Sequence, residues 1–506
     1  MAKVLTREEY KELKPSLEGK KVVLCHGVFD LLHPGHIEHF KEAKSIGDIL
    51  VVSVTAQKYV RKGTDRPYFN DKCRLLFLSA ITYIDYVILD EEYSGEEIIE
   101  LVEPTFYVKG QEYKDASSDI TGKIYDEVML VRKHGGDVYF TTGDVYSSTK
   151  LINTHFSSLS DSVKSYMKMF KEHSSINQIR EYGEEIAKKK ILVLGDSFFD
   201  HYHYSTISPR VNENGRKIYK VDHSEIYCSG ALYVASVVAD FTDQLTVVSV
   251  LGEGDEYTEK ALQELEGKAE FKCIYSSQCK NIVRHEYIEK AGSQRLHDLN
   301  SVYNCNGYQN LEEDKRKEFL EQVREMISSY DIVMICDYGY GLLDQELINL
   351  VQEKASFLAV NARDMGLSQN MNSVLKYDRS DTYVVEAKQL EMLEAVECYG
   401  EEEAAVKLEE RLSGKGFIIS ESGDVKLLEG KQLVHSVELD TDYLDYSGTV
   451  DAFFTVASLF QEVCKDPKVS AVMGNIARAL EGRIAGHSKK IEKVNVIRYA
   501  STLLNI

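Results

Sequence analysis

A chain of 506 residues, 43% hydrophobic and 28% charged, is long enough for two to four globular domains. Its net charge of −22 argues against a nucleic-acid-binding surface, which would need a basic stripe, though an acidic protein can still hold a local basic pocket for a nucleotide. No apolar run approaches the roughly 18 residues of a membrane span, and the charged first twenty residues hold no signal-peptide core, so no membrane partner is expected. Nine cysteines without CxxC spacing suit reduced thiols and a cytoplasmic location.

Residues 1–20 read as a short leading helix. From Lys21 to about Phe156, apolar runs alternate with amphipathic stretches. The runs VVLC (22–25), ILVVSV (49–54), YVIL (86–89), FYVKG (106–110) and DVYF (137–140) suit buried strands. Helices are predicted up to Ser45 and over 71–81, 95–102 and 124–133. This βαβα alternation predicts a doubly wound parallel sheet, whose ligands sit at the carboxyl ends of the strands.

One such end carries the most informative stretch of the chain. After the first strand come Gly27, Val28, Phe29 and Asp30, and then His33-Pro34-Gly35-His36 opens a helix. Proline suits a first helical turn, and Gly35 clears the backbone for a ligand. Helix N-termini present free N–H groups and the positive end of the dipole, which favours phosphate. Two histidines three positions apart can donate to the same triphosphate. Half of a zinc site is the competing reading, but no Glu follows the first histidine and no CxxC partner exists.

The pattern GxFDxxHxGH between strand and helix resembles the cytidylyltransferase-like nucleotidyltransferases. KGTDRPYFNDKCRLLFLSAITYIDYVIL (62–89), PTFYVKGQEYKD (104–115) and YSSTKLI (146–152) continue the likeness in the same order. It is nearest to the adenylyltransferases that make ADP-heptose, with glycerol-3-phosphate cytidylyltransferases more distant. Thr141 and Thr142 stand where some of these relatives carry an arginine, which fits the former better and leaves the nucleotide open.

The resemblance implies that His33 and His36 hold the triphosphate of ATP or CTP, with Lys44 and Arg74 adding positive charge. It places Lys109, Gly110, Ser147, Ser148 and Thr149 with Gly27–Asp30 in nucleotide binding. For the last three, a plain helix cap is the structural alternative. It also implies Mg²⁺, with no protein ligand assigned, and a sugar or polyol phosphate as acceptor. That acceptor is already ionised near neutral pH and needs no general base. Catalysis then consists of placing two anions together and stabilising the developing charge.

Residues 157–188 are polar with helical spacing and read as a connector between a domain at 1–156 and another at 189–506. KKILVLGDSFFDHYHY opens this second α/β domain with Gly195-Asp196 and Asp200. EIYCSGALYVASVVADF (225–241), DIVMICDYGYGLL (331–343), FLAVNARD (357–364) and DYSGTVDAFFTVASLF (445–460) follow. Together they resemble the ribokinase-type sugar kinases, most closely the kinase half of ADP-heptose enzymes, in reversed domain order. The resemblance implies sugar binding by Asp196, Asp200, Gly230 and Asp337, a base at Asp451, and a homodimer.

Four motifs depart from the family. The glycine-rich anion hole before the base reads Gly448-Thr449-Val450, with a β-branched residue where the backbone must approach phosphate. Ser229-Gly230 replaces a glycine pair, Tyr233 a sugar-binding asparagine, and Glu386-Ala387-Lys388-Gln389 a metal-associated Asn-x-x-Glu. The second domain is therefore read either as an active sugar kinase or as a ligand-binding or oligomerising module. A scaffold with both sites inactive is the third reading, opposed by the intact His33–His36 stretch.

Overall fold

Valine and isoleucine runs with opposite-facing neighbours decide the first half of the molecule. Val23 and Cys25 of one strand enter one core cluster with Phe40, Val52, Leu78 and Val108. Leu24, between them, enters the other with Val51, Ile88 and Tyr107. Both faces of this sheet are thus buried, as continuous apolar runs require.

The computed structural model describes residues 1–505 except 61–66, 92–94, 112–122, 143–159, 213, 292–294, 305–306, 364, 366–372, 392–399, 421–423, 438 and 440–442. It falls into two compact units, residues 1–164 with 497–506 and residues 165–496. The first holds β1 (Lys3–Leu5), α1 (Arg7–Leu13), β2 (Val22–Gly27), α2 (Pro34–Ser45), β3 (Ile49–Thr55) and α3 (Asp71–Ser79). There follow β4 (Tyr86–Asp90), α4 (Glu96–Val102), β5 (Phe106–Lys109), α5 (Lys123–Lys133) and β6 (Asp137–Phe140). Strand order is β1-β4-β3-β2-β5-β6, all parallel. The chain leaves β2 toward one edge and returns to β5 on the other side. A crevice therefore opens outside the carboxyl ends of β2 and β5, the usual ligand position in such a sheet.

The leading segment differs from its predicted helix. Lys3–Leu5 adds an edge strand beside β4, and the helix starts only after Thr6. Thr6 Oγ1 accepts from the Glu9 amide at 3.1 Å while Glu9 returns a bond to the Thr6 amide at 2.8 Å. Three residues are too few to show alternation, but the Thr-x-x-Glu capping box marks the true start.

The second unit is built on a nine-stranded sheet. Its strands are β7 (Ile191–Gly195), β10 (Leu245–Val248), β12 (Glu270–Phe271), β16 (Ile332–Asp337), β17 (Leu358–Ala362), β18 (Thr382–Glu386), β19 (Lys415–Ile419), β20 (Val425–Glu429) and β21 (Gln432–His435). The order is β12-β10-β7-β16-β17-β18-β19-β20-β21, with β20 antiparallel to both its neighbours and every other pair parallel. β11 (Val250–Gly252) pairs with β13 (Ile274–Ser276). A separate four-stranded sheet joins β8 (Ser197–Val211), β9 (Lys217–Gly230), β14 (Ile282–Ala291) and β15 (Arg295–Asn304) in the order β15-β14-β8-β9. The segment read as a connector forms helices Asp161–His173 and Ile176–Ile186. They bury Met167, Phe170, Ile179 and Ile186, so this stretch is not simply a solvated face.

Candidate active site

His33 caps α2 with extended backbone, Pro34 takes the first helical position, and His36 stands at the third. The His33 amide donates to His36 Nδ1 at 3.4 Å, which leaves Nε2 to carry the neutral ring's proton. The two imidazoles stack with centroids 3.9 Å apart, and Phe29 meets His36 edge-on at 5.6 Å. Phe29 holds a left-handed backbone (φ 46), a strained conformation for a bulky residue. A Cβ on Gly27 would lie 3.2 Å from the Phe29 ring, so glycine leaves room for that turn. Burial pushes the His33 imidazole below its ordinary range, so it is a neutral donor at neutral pH.

The loop from Val28 to Leu32 is braced from behind. Asp30 accepts from the amides of Tyr68 and Phe69 at 2.8 and 2.9 Å. Arg74, fully buried, donates to the Val28 and Thr55 carbonyls at 2.6 and 2.9 Å and pairs with Asp71 at 2.5 Å. The structure thus gives Arg74 the work of positioning the histidine loop. Lys44 does not join the histidines at all. It lies in the last turn of α2, roughly 12 Å along the axis from His36 at ~1.5 Å per residue, and binds Asp85 at 2.6 Å. A lysine at a helix C-terminus is satisfied by the local carbonyls and dipole, and Lys44 also takes the Asp48 carbonyl at 2.6 Å.

At the end of β5, Lys109 pairs with Glu127 at 2.8 Å and covers the Tyr107 ring at 4.6 Å; Gly110 follows it. Ser147, Ser148 and Thr149 lie outside the described residues. The start of the segment leading to them is held by α2 itself. Glu42 accepts from the Thr142 amide at 3.0 Å and from Tyr139 Oη at 3.0 Å, and His39 Nδ1 lies 3.1 Å from Thr141 Oγ1. Sequence reasoning missed His39 and Glu42, although they continue the three-residue spacing of His33 and His36. It also missed His26, whose Nδ1 lies 3.2 Å from Ser53 Oγ.

Burial, aided by the Lys109 charge, pushes His26 down to about 4. His39 is likewise pushed down to about 4, by burial first, with Glu42 opposing and Lys109 aiding. Between pH 6.5 and 4 the unfolded chain therefore binds protons that the folded unit refuses, so stability rises with pH in that window. At about 1.4 kcal/mol per pH unit, the expected loss on acidification is several kcal/mol. Melting temperatures recorded from pH 7 to 4 should fall steeply for the wild type and less for His26→Gln and His39→Gln.

In the second unit, Asp196 accepts from the amides of Tyr338 and Tyr340 at 2.8 and 3.2 Å. Burial and the Asp337 charge push its carboxyl upward. Gly230 has φ 65, and a Cβ there would lie 2.4 Å from the Asp196 carbonyl oxygen, so only glycine fits. Asp337 receives Lys376 Nζ at 2.7 Å and Tyr377 Oη at 3.1 Å. Asp451 accepts from Tyr338 Oη at 2.8 Å and Asn361 Nδ2 at 2.7 Å, with Arg363 at 3.7 Å.

Two expectations are altered here. Asp200 is already engaged within the protein: Arg284 grips both its oxygens at 2.5 and 2.7 Å, and Ser229 Oγ adds a third bond at 2.5 Å. Burial would raise its carboxyl, but the Arg284 guanidinium outweighs that and holds it below the usual range. The turn before Asp451 is also partly used up. The Thr449 amide donates to the Tyr446 carbonyl at 3.3 Å, and its hydroxyl does so at 2.9 Å, while Val450 is buried beside it. Glu386 binds Arg363 at 3.2 Å, and Gln389 closes on the Glu386 amide at 3.0 Å. No local pattern pointed to His487. It pairs with Glu481 at 2.6 Å, packs against Tyr233 with ring centroids 4.2 Å apart and planes tilted by 32°, and fills the space where a Cβ on Gly448 would fall. Burial alone would lower His487, but Glu481 holds it above its ordinary range.

Residues 24–154 match the cytidylyltransferase-like family, so the chain carries such a domain at its N-terminal end. The chain is 38% identical over 134 residues to the bifunctional protein HldE of Aliarcobacter butzleri (strain RM4018), covering 26% of this chain and 28% of that one. It is 40% identical over 139 residues to HldE of Marinomonas sp. (strain MWYL1), covering 27% and 28%. The matched stretch is thus under a third of these relatives' length. Ribokinase from Thermotoga maritima is similar in structure with a TM-score of 0.47 at 16% identity, covering 62% of this chain and 99% of that one. No helix among the described residues is long and apolar enough to cross a membrane.

Proposed function

We propose that the chain is a nucleotidyltransferase that moves a nucleoside monophosphate from ATP or CTP to a sugar or polyol phosphate and releases pyrophosphate. The observation that carries this reading is the stacked His33–His36 pair on the first turn of α2, at the crevice between β2 and β5. Helix-end amides and imidazole N–H groups would hold the triphosphate, aided by the helix dipole. The acceptor's phosphate oxygen forms the new bond to the α-phosphorus as the bond to the leaving pyrophosphate breaks. An ionised phosphate monoester needs no base for this step, so the residues orient two anions and steady the developing charge. Mg²⁺ is the metal such chemistry uses, but the described residues do not form a carboxylate cage for it. Asp30 is engaged by two amides and Glu127 by Lys109.

The second unit fits a ligand-binding or oligomerising module better than a sugar kinase, because Arg284 engages Asp200 and the Thr449 amide is spent within its own turn. The rival is a bifunctional enzyme in which Asp451 deprotonates the sugar. One experiment separates them. Pyrophosphate release is measured with ATP and with CTP against a panel of sugar 1-phosphates and polyol phosphates. The matching unphosphorylated sugar is then offered to the wild type and to Asp451→Asn. The module reading expects release from one phosphate acceptor, unchanged in Asp451→Asn, and no phosphorylation of the free sugar. Phosphorylation that disappears in Asp451→Asn would establish the kinase.

A further inference from the structure

Strands β8 and β14 run parallel, with Asp200 opposite Arg284, His201 opposite His285 and His203 opposite Tyr287. Side chains alternate across a sheet, so the buried Asp200–Arg284 pair faces one side and the three histidines the other. One ring nitrogen of each of His201, His203 and His285 lies within 4.8 Å of the others. We propose that His201, His203 and His285 bind a transition-metal ion of the Zn²⁺ class, with Tyr257 orienting His201 and a water completing the coordination.

The geometry asks for little movement. Tetrahedral coordination with Zn–N bonds of about 2.0–2.1 Å separates ligand nitrogens by roughly 3.3 Å. His203 Nε2 and His285 Nδ1 lie 2.9 Å apart, so a metal ion replaces the proton these nitrogens share once they part slightly. His201 Nδ1 is 3.0 Å from Tyr257 Oη. With Nδ1–H donating to the Tyr257 hydroxyl, Nε2 is left for the metal, the arrangement common among ligating histidines. Tyr287 stacks on His203 at 4.6 Å and limits its rotation. An all-imidazole set selects Zn²⁺, Co²⁺, Ni²⁺ or Cu²⁺ over Mg²⁺ or Ca²⁺. The ligands come from two adjacent strands, so the bound ion clamps β8 to β14 one residue beyond the Asp200–Arg284 pair. An imidazole stack held only by packing is the alternative.

The test uses the metal-free full chain. Titration with Co²⁺ should give the visible bands of a four-coordinate ion, saturating at one equivalent and displaced by Zn²⁺. The bands should vanish in His203→Gln/His285→Gln and persist in His33→Gln/His36→Gln, which removes only the other histidine pair. On the wild type, Zn²⁺ should protect His201, His203 and His285 from diethyl pyrocarbonate while leaving the exposed His173 reactive. This arm needs no variant to fold. Bands that survive the His203/His285 change, no bands at micromolar Co²⁺, or unchanged modification of the three histidines would each overturn the site.

Discussion

His36→Gln is expected to lower nucleotidyl transfer by about 10²–10³-fold while leaving the fold intact. Loss of one preorganised donor at a charge-developing oxygen typically costs that much. The glutamine is chosen because His36 has a structural task as well. Its Nδ1 accepts from the His33 amide at 3.4 Å across a capping box, and glutamine at the third helical position preserves such a box. Alanine would remove both contributions and confuse them. A fall in kcat with little change in melting temperature would assign the imidazole to the reaction. Combining the change with His33→Gln should cost less than the sum, since residues that act as a unit are non-additive. Lys44→Ala is the contrast, expected to stay within a few-fold of wild type because Lys44 is tied to Asp85 at the far end of α2. Pyrophosphate release reads all of these. Turnover of His36→Gln equal to wild type would remove His36 from the mechanism.

What the sequence disclosed, and what it withheld, follows from range. The strands of the first sheet were legible because both faces are buried and the apolar runs are unbroken. His33 and His36 were legible because strand, turn, cap and helix lie within one contiguous stretch. Lys44 was misplaced because charge alone says nothing of distance along a helix. The roles of Arg74 and Asp200 needed partners far off in the chain. Arg74 reaches back to Val28, and Asp200 finds Arg284 through the parallel register of β8 and β14. The same register brings His285 to His201 and His203. No local pattern announces it, because the pairing exists only once the two strands lie side by side.

Arg284→Ala is expected to destabilise the second unit by about 3–5 kcal/mol, since it strands the Asp200 carboxylate in a buried site. The guanidinium donates to both oxygens of Asp200 and lies 4.4 Å over the Phe198 ring, so the cost includes packing as well as charge. At ~2–4 °C per kcal/mol for a large domain, the melting temperature should fall by roughly 6–20 °C. Replacing both partners with apolar residues of similar volume, Asp200→Leu with Arg284→Met, should recover most of that loss, because a buried pair is often no better than a well-packed apolar one. Thermal unfolding of the two single variants and the double variant closes the cycle. The double variant also reads out function. If Asp200 is structural, pyrophosphate release survives the double change and no sugar-dependent activity is lost with it. If Asp200 is a sugar ligand that Arg284 only guards, the stable double variant loses phosphorylation of the free sugar while pyrophosphate release from the sugar phosphate survives. Stability and chemistry then part company at a single carboxylate, and the module reading of the second unit falls.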